Sequence, residues 1–150
     1  MTLQETYNFF ESLKTETTKI AEMKVYEKFL HILAELKIRA FSKDEIQSIE
    51  TEIDRLNLKS NPENRKRYFK KALRQFEKYL KDTFFLTPKG YYANIGLGLG
   101  TSFGALFGIV ILSGLERSLG IAFGLIIGML VGLTIGRSLD AKAIREGRVL

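Results

Sequence analysis

Residues 90–138 read GYYANIGLGLGTSFGALFGIVILSGLERSLGIAFGLIIGMLVGLTIGRS, two apolar segments threaded by glycines four residues apart. The first carries Gly96, Gly100, Gly104 and Gly108, with Gly98 beside them; the second carries Gly120, Gly124, Gly128, Gly132 and Gly136. No charge falls between Lys89 and Glu116, nor between Arg117 and Arg137. Each uncharged run reaches the ~18 residues expected of a membrane-spanning helix, which at ~1.5 Å rise per residue covers roughly the 30 Å hydrocarbon core. In a water-exposed helix glycine costs about 1 kcal/mol relative to alanine, but in lipid the backbone has no partner except itself, so the helix persists. A four-residue repeat then cuts a flat groove along one side, where a second backbone can approach closely. The glycines therefore read as a helix-packing surface, and the segments as a transmembrane hairpin spanning 91–138.

On these residues the chain resembles the glycine-zipper class of two-transmembrane-helix membrane proteins, over about its last third. The resemblance implies close helix packing and a tendency to self-associate; it implies no activity. Glycine-rich hairpins are also similar to the ring subunit of rotary ATP synthases. That family needs a carboxylate midway along its second helix, and nothing ionisable lies between Ser118 and Gly136. Since intramembrane ionisable groups mark ion paths, a proton or sodium carrier is disfavoured.

The 150 residues leave room for the hairpin and one small extramembrane domain. With no cysteine there are no disulfides or thiolate metal sites. Met1 to Ala21 is studded with charge and lacks an apolar core, so no cleavable signal is expected. The net charge of +6 is uneven: residues 61–91 hold nine Lys/Arg against three Asp/Glu, whereas residues 1–60 hold nine against eleven. The basic excess gathers just before the membrane.

Apolar residues recur at three- and four-residue steps through the first ~40 residues, which predicts helix. Leu3, Tyr7, Phe10, Leu13 and Ile20 share one side, while Val25, Phe29, Ile32, Leu33 and Leu36 share a rotated one. That helix either supercoils, breaks near Lys14–Lys19, or serves two partners. Ser42 with Glu45 forms a capping-box pattern opening a second helix, with Ile46, Ile49, Ile53 and Leu56 at three-four-three spacing. Asn61 and Pro62 read as N-cap and first residue of a third helix. In that helix Tyr68, Phe69, Ala72, Leu73, Phe76, Tyr79 and Leu80 fill one face, and Arg67, Lys70, Lys71, Arg74, Lys78 and Lys81 make a basic stripe opposite. The apolar face is expected to pack on the first two helices. Phe84, Phe85 and Leu86 mark arrival at the bilayer, residues 87–90 form a hinge, and Tyr91 and Tyr92 sit at interfacial level.

The short turn around Gly114–Ser118 makes the hairpin antiparallel, and a basic tail, 139–150, carries Lys142, Arg145 and Arg148. With Lys/Arg at both ends of the hairpin, the positive-inside rule puts both termini in the cytoplasm. Catalytic constellations are absent: His31 is the sole histidine, and no P-loop, H-E-x-x-H or G-x-S-x-G pattern occurs. No catalytic, metal or cofactor residue is assigned, and nucleic acid is not an expected partner.

The expectation is thus an all-α membrane protein: a cytoplasmic domain of about three helices over 1–86, then the glycine-zipper hairpin. Its expected role is a non-enzymatic assembly or adaptor protein, homo-oligomeric or bound to a membrane-complex partner. The basic stripe is expected either to be a solvated outer face or to contact the bilayer through anionic lipids. The alternatives are an oligomeric pore, with Thr101, Ser102 and Thr134 lining it, and an accessory subunit of a larger membrane complex.

Overall fold

The structure, a computed structural model, describes residues 1–60, 63–111 and 117–150, without the side chains of 111, 117 and 118. The described residues form six helices: α1 (Leu3–Glu16), α2 (Ile20–Ile38), α3 (Lys43–Arg55), α4 (Arg65–Phe84), α5 (Tyr91–Ile111) and α6 (Arg117–Arg145). They divide into two compact units, Met1–Leu86 with Leu150, and Thr87–Val149.

The first unit has four helices rather than about three, because the chain breaks at Thr17. Thr17 is extended, its hydroxyl bonds Glu22 Oε2 at 3.1 Å and accepts from the Lys19 amide at 3.3 Å. Such side-chain bonds compete with helical ones, which explains why a polar stretch ends the helix without glycine or proline. Capping boxes start α1 at Thr2/Glu5 and α3 at Ser42/Glu45. Asn64 caps α4 through the Arg67 amide at 3.0 Å, so the helix starts at Arg65; the expected cap, Asn61–Pro62, lies outside the described residues.

The core of this unit is aromatic. Phe10 stacks on Phe29 at 4.1 Å between centroids, Tyr26 meets Phe69 edge-on at 5.5 Å, and Phe29 stacks on Phe76 at 6.4 Å. Of the α4 apolar face, Phe69, Ala72, Leu73, Phe76 and Leu80 are buried, with Tyr68 and Tyr79 partly so. Ile49, Ile53 and Leu56 of the α3 seam are buried too. His31 is exposed. At the end of α4, Phe85 adopts a left-handed conformation (φ 57°) and is 66% exposed, an unfavourable state for an aromatic residue.

In the second unit α5 and α6 pack along their lengths. Both are long and apolar enough to cross a membrane, and only 11% and 17% of their apolar windows are buried. Helices from a soluble core would be mostly covered. The α6 helix runs seven residues beyond 138, through Arg145, and takes in the start of what reads in sequence as a tail. It ends in a Schellman motif: Gly147, at φ 66°, bonds Ile144 O at 3.0 Å, and the Arg148 amide bonds Ala143 O at 2.9 Å. The Thr87 amide then donates to Arg148 O at 2.9 Å, and Tyr91 N to Pro88 O at 3.0 Å, so segment 87–90 is held by hydrogen bonds.

Candidate functional site: the glycine seam and the basic face

Eight of the nine spaced glycines can be placed by asking what a Cβ would meet. At Gly96, Gly100, Gly104 and Gly108 it would fall within 3.0 Å of backbone atoms of Gly132, Gly128, Gly124 and Gly120 respectively. Going the other way, Gly124, Gly128 and Gly132 face Gly104, Gly100 and Gly96, and Gly136 faces Tyr92 and Ala93. As one residue number rises by four its partner falls by four, so the helices are antiparallel. Every one of these glycines meets the companion helix of its own chain. Where a Cβ would stand, the glycine hydrogen points at a facing carbonyl oxygen, the geometry of a weak Cα–H···O bond. Gly98 is the exception: a Cβ there meets nothing within 4 Å.

The outward sides of both helices carry large apolar groups, among them Phe103, Phe107, Val110, Ile127 and Leu130, all more than half exposed. The hydroxyls in these helices bond to their own backbone: Thr101 to Leu97 O at 2.6 Å, Ser102 to Gly98 O at 3.0 Å, and Thr134 to Leu130 O at 2.7 Å. Each donor is thus satisfied four residues back, as a helix in an apolar solvent requires. The turn between the helices lies almost wholly outside the described residues.

One carboxylate closes the open end of the seam. Asp140, on α6, accepts from the amides of Tyr92 at 3.0 Å and Ala93 at 2.9 Å. These are the second and third residues of α5, whose N–H groups have no intrahelical acceptor. A capping carboxylate normally comes from the residue just before its helix; here it comes from 48 and 47 residues away. Sequence reading missed it because nothing local marks Asp140 as a cap for a helix elsewhere in the chain.

The six residues of the basic stripe have different surroundings. Lys78 and Lys81 share Asp82, at 3.6 and 3.8 Å. Arg67 and Lys71 are exposed, while Lys70 and Arg74 line a groove between α4 and α2. Among the described residues no cluster of His, Cys, Asp and Glu could hold a metal ion. No protein-family model, curated protein or solved structure matches the chain.

Proposed function

We propose that this chain is a non-enzymatic, two-pass integral membrane protein, in which the hairpin anchors the helical domain at the cytoplasmic face as an assembly or adaptor module for a partner protein. The observation that carries the reading is the division of the hairpin surface. Glycine backbones face inward, and bulky apolar side chains face outward over the length of a bilayer core. In water such a surface would be an aggregation hazard; in lipid it is solvated. Because the glycines face the same chain, association with further chains falls to the outer apolar faces and to the helical domain. The stripe Arg67, Lys70, Lys71, Arg74, Lys78 and Lys81 lies on α4, the last helix before the hairpin, and ends ten residues ahead of Tyr91; we assign it to anionic lipid headgroups, where each cation near the surface contributes up to ~1 kcal/mol.

The experiment is extraction and protection in sealed vesicles. The chain should resist alkaline carbonate and need detergent, and tags before Met1 and after Leu150 should be cleaved together by protease on the cytoplasmic side alone. Carbonate release, or termini on opposite sides, refutes the reading. Crosslinking in intact cells should then trap a partner through residues of α1–α4.

A further inference from the structure

Lys24 and Lys28 lie one turn apart on α2, and Lys66, Lys70 and Arg74 lie at successive turns on α4. All five line one groove of about 460 Å³, together with the buried Val25 and Leu73, and among the described residues Glu77 is the one carboxyl in its lining. Among the described residues none of the five has a carboxylate at ion-pair distance, whereas Lys14, Lys19, Arg55, Lys78 and Lys142 each do.

Like charges one turn apart weaken a helix, and this groove repeats the arrangement on both walls. The walls cannot relax apart, because the contacts of Tyr26 with Phe69 and of Phe29 with Phe76 tie α2 to α4. The helix positions that carry the cations are therefore fixed relative to one another, which removes part of the ordering cost of binding a counter-charge. Burial raises the Glu77 carboxyl above its ordinary range, with Lys28 and Arg74 pulling the other way. The volume falls within the range of small-molecule sites, and Val25 and Leu73 offer an apolar lining to a ligand's carbon skeleton.

We propose that the α2/α4 groove binds a ligand carrying two or more phosphate groups, gripped between Lys24 and Lys28 on one wall and Lys66, Lys70 and Arg74 on the other. Ammonium and guanidinium groups make short, charge-assisted bonds to phosphate oxygens, and Arg74 can do so in bidentate fashion. The ligand is either a soluble polyphosphate or the headgroup of a multiply phosphorylated lipid. This inference goes beyond general attraction to an anionic surface, and rests on the membrane reading in that its test holds the full chain in a bilayer.

The test uses the full chain in phosphatidylcholine nanodiscs, titrated calorimetrically with inorganic triphosphate at about 0.15 M salt, where distant surface charges are largely screened. Saturable one-to-one binding is expected. The pair Lys28→Gln/Lys70→Gln, one change per wall, should weaken it by about tenfold or more, while Lys43→Gln/Lys59→Gln, removing the same charge elsewhere, should change it less than about twofold. Glu77→Gln should tighten it. Doping the discs with a phosphatidylinositol bisphosphate should block the site if a headgroup is the ligand. Phosphatidylserine at equal charge should not block it, and an unblocked site assigns the ligand to solution. No saturable heat, or equal loss in both double variants, overturns the proposal.

Discussion

Gly98 and Gly100 stand two residues apart on the same helix, yet alanine should have opposite consequences at the two. A Cβ at Gly98 enters open space, whereas at Gly100 it meets the Gly128 carbonyl carbon at 2.9 Å and the Gly132 Cα at 3.1 Å. Both substitutions gain the same helix propensity, up to about 1 kcal/mol, so their difference isolates the steric cost. Even the loosest of the α5 contacts, from Gly108 to the Gly120 oxygen, is 2.5 Å against the 3.4 Å where ordinary contact begins. The obstacle is backbone in both helices, so no side chain can swing aside, and the helices must move apart by about 1 Å, loosening the neighbouring pairs as well. Overpacking of this kind costs about 1–3 kcal/mol, and Gly100→Ala should be less stable than Gly98→Ala by that amount. Reversible unfolding in mixed micelles, followed by energy transfer between dyes at the hairpin ends, measures it. Equal midpoints for the two variants would refute the seam.

Asp140→Ala should cost about 1 kcal/mol, the usual value of a lost cap, and speed hydrogen exchange at the Tyr92 and Ala93 amides specifically; Asp140→Asn should recover part of it. Glu77 has a raised carboxyl pKa, so its contribution to stability is full below the unfolded value and is lost as pH rises through the folded one. The melting-temperature advantage of Glu77→Gln over the parent should therefore grow from acid to neutral pH, and a constant offset would contradict the burial argument. Gly147→Ala, at φ 66° with open space around it, should lose about 1 kcal/mol through backbone strain alone and fray the end of α6, read as faster exchange at the Arg148 amide.

Elements written in local sequence were legible. The Ser42/Glu45 box and the two faces of α4 follow from spacings of three and four residues, and they reappear as hydrogen bonds and as buried aromatics. The split between α1 and α2 was harder, since it depends on Thr17 bonding Glu22 and on which of two rotated apolar faces meets the core. Asn64 lies three residues after Asn61, and periodicity places a helix end no more finely than that. Spacing identified the glycines as a surface but could not say whose backbone covers it. The groove was invisible for a related reason: Lys24 and Lys28 look like ordinary solvated residues until α2 is laid beside α4.

A ladder of identical rungs is an imprecise ruler. Sliding one helix by four residues would bring Gly96, Gly100, Gly104 and Gly108 opposite Gly136, Gly132, Gly128 and Gly124, and the seam would close nearly as well. Asp140 removes the ambiguity. A four-residue slip carries its carboxylate about 6 Å along the axis, well beyond reach of the Tyr92 and Ala93 amides. The glycines thus supply closeness without address, and a single acid at the rim tells the two helices which of several equivalent alignments is theirs.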